Sequence, residues 1–254
     1  MGLFNLTGKV ALITGSTRGI GLAIAVRMAE HGARVVISSR NQSDCDEVAE
    51  KICARGGDAV GVACNINYKE QLRELVNKTE ELLGPVDILV CNAALNPFYG
   101  PSQEIPDEAF DKIMNANVGS NHRLCRLVLP KMAQRGGGAV IIISSIAGLK
   151  GSGMLGAYGI SKAADMQIAR NLAVEWGPEN IRVNCIAPGL VRTEFAKALW
   201  ENPEVYQSTV AKYPLRRIGE PDEIAGAAVY LASSAGSFTT GQTIVVDGGG
   251  TIAG

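Results

Sequence analysis

Apolar residues along the chain gather into seven short runs that polar residues barely interrupt. They are Val10–Thr14, Arg34–Ser38, Ala59–Cys64, Ile88–Cys91, Ala139–Ser144, Arg182–Ile186 and Thr243–Val246. A strand with one wet face alternates apolar and polar residues, whereas a strand covered on both faces is apolar throughout. These runs are of the second kind. Between them lie stretches of helical period: Ile20–His31, Ser43–Arg55, Lys69–Leu83, Asp107–Gln134, Tyr158–Trp176 and Glu223–Ala232. Strand and helix alternate, with short joins marked by Gly or Pro, as in a doubly wound α/β sheet. The pattern predicts one domain over residues 1–254 with a mostly parallel, seven-stranded sheet. Residues 194–219 form a join too long for a turn and carry apolar residues of their own. Such a segment is expected to be an insertion that serves as a lid or binding loop.

Composition narrows the function classes. Of 254 residues, 46% are hydrophobic and 19% charged, which suits a compact core rather than disorder. The formal net charge is −1 with no block of like charges, which argues against a nucleic-acid partner. No apolar run approaches the roughly 20 residues that span a bilayer. Met1–Val10 lacks the basic start and apolar stretch of a secretory signal, so a cytoplasmic protein without a membrane partner is expected. The six cysteines form no C-x-x-C pair, and His31 and His122 are the only histidines. The expectation is reduced thiols and no metal site, leaving a chemistry that uses neither a metal nor a histidine base.

The first strand runs straight into Gly15-Ser16-Thr17-Arg18-Gly19-Ile20-Gly21 and then a helix. Glycines let such a turn close tightly on a pyrophosphate, and a helix N-terminus adds free N–H groups and partial positive charge. In this strand–turn–helix context the run predicts a Rossmann-type dinucleotide site, although its spacing is G-x-x-x-G-x-G. An NAD enzyme places a carboxylate at the end of the second strand to accept from the ribose 2′-hydroxyl. Here the chain reads Ser38-Ser39-Arg40 with no acid, and Arg18 sits in the glycine turn. Two arginines and a missing acid predict NADP(H) as the cofactor.

Thirteen residues beyond Ser145 the chain reads Tyr158-Gly159-Ile160-Ser161-Lys162. Positions i and i+4 share a helix face, so Tyr158 and Lys162 point the same way. A phenol of ordinary pKa, about 10, transfers protons poorly near neutrality unless a neighbouring ammonium favours its phenolate. The glycine turn, Asn92-Ala93-Ala94, Asn117-Val118, Ser145, Tyr158, Lys162 and Pro188-Gly189 occur in this order. In this series the chain resembles the short-chain dehydrogenase/reductase family over essentially its whole length. The resemblance implies that Tyr158 is the acid/base and that Ser145 polarises the substrate oxygen. Lys162 would hold the nicotinamide ribose, and Asn117 a water that relays protons to it. The resemblance also implies cofactor contacts from Gly15, Ser16, Arg18, Gly19, Ile20, Gly21, Ser39, Arg40, Asn65 and Ile66, and from Asn92, Ala93, Pro188, Gly189, Val191 and Thr193. Two positions depart from the family pattern: the turn reads Asn-Ala-Ala rather than Asn-Ala-Gly, and Asn65 replaces an acid that accepts from the adenine amino group. A neutral amide oxygen still accepts, more weakly.

Substrate residues are expected on loops at the carboxyl ends of the strands. The substrate candidates are Leu95, Asn96, Phe98, Leu149, Leu155, Phe195 and Trp200, together with Ser145, and their apolar bias favours a hydrophobic ketone or aldehyde over a sugar. Asn96-Pro97-Phe98-Tyr99-Gly100 looks like the NADPH-dependent carbonyl and retinal reductases of the family, which also implies a homotetramer. The rival enzyme is a 3-oxoacyl-(acyl-carrier-protein) reductase, whose relatives dock an acidic carrier through two basic residues. The matching positions here are Gly136, with Arg135 beside it, and the acid Glu179. A nucleotide-sensing regulator on the same fold is the reading from another class, and such proteins usually lose the Tyr or the Lys.

Overall fold

A computed structural model describes residues 2–253. Seven strands form one sheet in the order β3-β2-β1-β4-β5-β6-β7. They are β1 Val10–Thr14, β2 Arg34–Ser38, β3 Asp58–Gly61, β4 Ile88–Cys91, β5 Gly138–Ile143, β6 Ile181–Pro188 and β7 Thr243–Val246. Every pairing between neighbours is parallel, so the sheet goes beyond the mostly parallel one expected.

Successive strand residues point to opposite faces, and both faces are buried. Val10 and Leu12 of β1 join one core, with Leu72 and Leu75 of α3 (Lys69–Leu83), Leu124 of α5 (Ser120–Gln134) and Met166 of α6 (Gly156–Trp176). Ala11 and Ile13 join the other, with Ile24 of α1 (Gly19–Glu30), Val48 of α2 (Gln42–Cys53) and Ile224 of α9 (Pro221–Ala232). This is why the strands read as unbroken apolar runs. Chain order reverses between β1 and β4, which opens a crevice at the carboxyl end of the sheet.

Two expected elements differ. The single helix expected over Asp107–Gln134 is divided into α4 (Asp107–Ile113), a π-helical turn (Met114–Gly119) and α5. Two asparagines and a glycine lie in that turn, residues that hold an α-helix weakly, and Asn117 gains tertiary partners there. The 194–219 join is not an open loop. It runs through a 3-10 turn (Glu194–Ala196), α7 (Lys197–Trp200) and α8 (Pro203–Val210), and returns beside the sheet through a Val191–Gly219 bridge. Asn202 caps α8 by accepting from Glu204 N at 3.0 Å and Val205 N at 3.2 Å.

Candidate active site

The crevice at the strand ends is a cleft of about 1950 Å³. Its floor begins at the glycine turn. A Cβ on Gly21 would lie 2.3 Å from Gly15 O and 2.5 Å from Asn92 Nδ2, so only glycine lets α1 start this close to β1 and β4. Asn92 clamps the turn by donating from Nδ2 to Thr14 O at 2.9 Å and to Gly15 O at 3.0 Å. The first turn of α1 carries no acid, which leaves its N–H groups and their partial charge open to an anion. Ser16 departs from its expected place. It is buried, donating to Ile13 O at 2.7 Å and accepting from Ser38 N at 2.8 Å, and so joins β1 to β2 instead of facing the cleft.

Gly15, Arg18, Gly19, Ile20, Ser39 and Arg40 line one end of the cleft. Arg18 and Arg40 are exposed, and neither forms an ion pair among the described residues. Asn65 also lines the cleft, with Ile66. Its Oδ1 already accepts from Asn67 N at 3.2 Å and Asn67 Nδ2 at 3.0 Å. Both lone pairs are engaged, so an adenine amino group would have to open this Asn65–Asn67 contact.

The other end holds Ser145, Tyr158 and Lys162. Ser145 caps a 3-10 turn (Ile146–Gly148), its Oγ accepting from Ala147 N at 3.1 Å. That use of the lone pair leaves the O–H free to donate. The turn is pressed against α6: a Cβ on Gly159 would sit 2.8 Å from Ala147 O. Tyr158 stands in the first turn of α6, half-buried, with its ring centroid 6.1 Å from that of Phe195. Lys162 is buried at 2% exposure, with Nζ 5.8 Å from the Tyr158 ring centroid. Its Nζ donates to Ile143 O at 2.8 Å and to Asp165 Oδ2 at 3.0 Å. Burial disfavours this ammonium, yet Asp165 and Tyr158 more than offset it and hold its pKa above the ordinary lysine value.

Asn117 lies behind these groups rather than in the cleft wall. Its Nδ2 donates to Leu95 O and Ser161 Oγ, both at 3.0 Å, and its Oδ1 accepts from Leu95 N at 2.9 Å. The carboxamide thus pins the loop after β4 to α6. Thr193 lines the cleft with Pro188, Gly189 and Val191, and its Oγ1 accepts from Ala196 N at 3.3 Å.

Of the expected substrate residues, Leu95, Asn96, Leu155 and Phe195 face the cleft. Asn96 Oδ1 is buried with no hydrogen-bond partner among the described residues. Phe98, Leu149 and Trp200 lie outside the cleft wall. Trp200 instead donates from Nε1 to Thr193 O at 3.0 Å, with the Arg192 guanidinium 5.2 Å from its ring. Three residues here were not legible beforehand. Tyr213, buried, accepts from Leu190 N at 3.0 Å and lines the cleft. Asp165 and Asn121, buried side by side, stand behind Lys162.

Among the described residues no cluster of His, Cys, Asp or Glu is arranged to hold a metal, and no helix is long and apolar enough to cross a membrane. A family model described as enoyl-(acyl carrier protein) reductase matches residues 15–251. The chain is 45% identical over 244 residues to dehydrogenase/reductase SDR family member 4 of Bos taurus, covering 96% of this chain and 88% of the relative. The Homo sapiens protein of the same name is 43% identical, with the same coverage. Among solved structures, a gluconate 5-dehydrogenase from Burkholderia cenocepacia in complex with NADP and tartrate superposes with a TM-score of 0.95 at 32% identity, covering 99% of this chain and 98% of that one. A 7α-hydroxysteroid dehydrogenase complexed with NADH and 7-oxo glycochenodeoxycholic acid has a TM-score of 0.94 at 39% identity, covering 98% and 96%. The chain belongs to the short-chain dehydrogenase/reductase family. It is an oxidoreductase of that family, with a small-molecule substrate.

Proposed function

We propose that this chain is an NADP(H)-dependent carbonyl reductase, moving hydride between NADP(H) and a hydrophobic ketone or aldehyde, or the corresponding secondary alcohol. The observation that carries the reading is one cleft with two ends: Ser145, Tyr158 and Lys162 at one, and at the other Arg18 and Arg40, which form no ion pair among the described residues, with no acid at the end of β2. The glycine turn that leaves no room for a Cβ at Gly21 and the acid-free start of α1 suit a pyrophosphate between them. Arg18 and Arg40 would hold the 2′-phosphate, and Lys162 and Thr193 the nicotinamide half. NADPH, when bound, supplies the hydride.

In this reading Ser145 donates its O–H to the substrate carbonyl oxygen and fixes its direction. Tyr158 passes its phenolic proton to that oxygen as the carbon is reduced, and takes the proton back in alcohol oxidation. Leu95, Leu155 and Phe195 exclude water from the reacting carbon, and Asn96 Oδ1 offers an acceptor to a substrate donor group. The same residues argue against an acyl-carrier substrate. Arg135, the basic residue nearest the docking position, is ion-paired with Asp87, and Glu179 is exposed. NADPH oxidation measured across diketones, aromatic ketones, retinal, steroids and acyl-carrier thioesters tests the substrate class. A kcat/KM highest for free hydrophobic carbonyls is expected; thioesters leading the panel would overturn it.

Residues 194–219 are the substrate-loop part of the proposal. Phe195 and Leu199 line the cleft, and the segment is tied to Thr193 through Trp200. A lid of this kind closes over ligands to exclude water. Protease nicking within 194–219 is therefore expected to slow when NADPH and a ketone are both present. Equal nicking with and without them would show that the segment is static packing.

A homotetramer in the cytoplasm completes the reading. Exposed Val174, Phe238 and Ile252 are the kind of apolar surface that self-association covers. The six cysteines, all unpaired, suit a reducing compartment.

A further inference from the structure

Asp165 is fully buried on α6, three residues beyond Lys162, where an uncompensated carboxylate would be strongly disfavoured. Its two oxygens are both used. Oδ2 accepts from Lys162 Nζ at 3.0 Å, and Oδ1 accepts from Asn121 Nδ2 at 2.9 Å. Burial pushes the Asp165 carboxyl above the ordinary range, and the Lys162 ammonium and the Asn121 amide, each donating to one oxygen, pull the other way and favour the charged pair. Asn121 belongs to α5, so the arrangement spans two helices and is not an accident of neighbouring positions on one.

We infer that Asp165 is a positioning residue of the reaction: turned by Asn121, its carboxylate keeps the Lys162 ammonium charged and anchored beside Tyr158. The inference rests on the oxidoreductase reading above and assigns a cause to the state of its lysine. A lysine this deeply buried loses its proton readily; burial without a partner lowers lysine pKa by up to about 3–5 units. The Ile143 carbonyl at 2.8 Å orients Nζ but carries no charge to hold the proton there.

The other titratable groups packed around the pair do not share the task. Cys185 of β6 lies with its Sγ 3.4 Å from Asp165 O, and burial raises its thiol far above the ordinary range. The Cys91 thiol of β4 is raised by its contact with the Cys125 thiol of α5 and by burial. Tyr158 and, one turn further along α6, Arg170 complete the set; Arg170 is bonded to Gln167. Among these groups Asp165 is the one carboxylate in contact with Nζ.

The sign follows from the lysine. It is charged below its pKa and neutral above, so losing Asp165 is harmless at low pH and damaging as pH rises through the lowered value. The test is Asp165→Asn, which keeps size and hydrogen bonding while removing the charge. Two quantities are measured from pH 6 to pH 9 in parallel with the unsubstituted enzyme: kcat/KM for ketone reduction, and NADPH Kd by fluorescence titration. The ratio of variant to unsubstituted kcat/KM is expected to be near one at pH 6 and to fall at least about tenfold by pH 9, with NADPH Kd rising over the same interval. Asn121→Leu is the second variant, leaving both charges and removing only the bond that turns the carboxylate. It is expected to give the same trend with a smaller displacement, and it carries the test alone should Asp165→Asn not fold. A ratio and a Kd that are independent of pH, even if uniformly poorer, would reduce Asp165 to a packing role and overturn the inference. An unsubstituted enzyme that binds NADPH but reduces no carbonyl would overturn the substrate reading instead, with the Kd trend still deciding the fate of Asp165.

Discussion

Tyr158→Phe is expected to lower kcat for carbonyl reduction by about 10²–10⁴-fold, the usual worth of a positioned general acid. The substitution removes one oxygen and little else. The ring stays in its place near Phe195, at a centroid distance of 6.1 Å, so that wall of the cleft keeps its packing. Lys162 keeps its bonds to Ile143 O and Asp165, because neither passes through the phenol. NADPH Kd should therefore hardly move while kcat collapses, and that split separates a proton donor from a residue that shapes the site. Steady-state kinetics with one good ketone, with chemistry rate-limiting, and a direct NADPH titration measure the two halves. A phenylalanine variant retaining more than half its kcat would remove Tyr158 from the mechanism.

The second large effect belongs to the other end of the cleft. A 2′-phosphate carries about two negative charges near neutrality, and a guanidinium meets it with charge-assisted, bidentate hydrogen bonds. Losing one such bond costs about 1.5–3 kcal/mol, or roughly ten- to a hundredfold in affinity. Arg40→Ala should raise KM for NADPH by that factor and leave NADH nearly untouched. Adding Ser39→Asp should go further and reverse the preference, since a carboxylate there accepts from a ribose hydroxyl and repels the phosphate. The site tolerates the change. Ser39 is half-buried, its Oγ makes long contacts to Asn41 O at 3.4 Å and to Cys45 Sγ at 3.3 Å, and its backbone N–H donates to Cys45 Sγ at 3.1 Å whatever the side chain. Measuring kcat/KM for both cofactors in both variants checks it; a double variant that still prefers NADPH would show that other residues select the phosphate.

What was legible in the sequence follows from which forces act locally. The strands were plain because a sheet buried on both faces demands unbroken apolar runs, and four of the seven, including Val10–Thr14 and Arg34–Ser38, have the expected ends. Asp107–Gln134 reads as one helix because its apolar periodicity continues through the π turn. Nothing nearby in the chain announces that Asn117 will bond Leu95, 22 residues away. In the 194–219 join the pair Asn202-Pro203 is an N-cap followed by a proline at the first helical position, a local signal for α8.

The site divides in the same way. The i, i+4 spacing of Tyr158 and Lys162 fixes a shared helix face without reference to the rest of the fold, but their roles come from the order of motifs that resembles the family pattern. Ser145 gained meaning from its distance along the chain and its resemblance to a family pattern. The glycine turn does not say which way a side chain within it points, and the Ser38 backbone on the next strand turns Ser16 inward. Asp165 is hidden in the sequence for a related reason. A charge at i+3 from a lysine is usually a solvated surface pair, and only the packing of α5 shows that this pair is buried.

The measurement that bears most directly on the whole account uses the unsubstituted enzyme and one hydrophobic ketone, with NADPH and NADH compared at equal concentration. Alcohol formed should match NADPH consumed mole for mole, with kcat/KM for NADPH at least about tenfold above that for NADH, the least that one charged hydrogen bond to the phosphate is worth. No alcohol from that ketone, or equal use of the two cofactors, would contradict it.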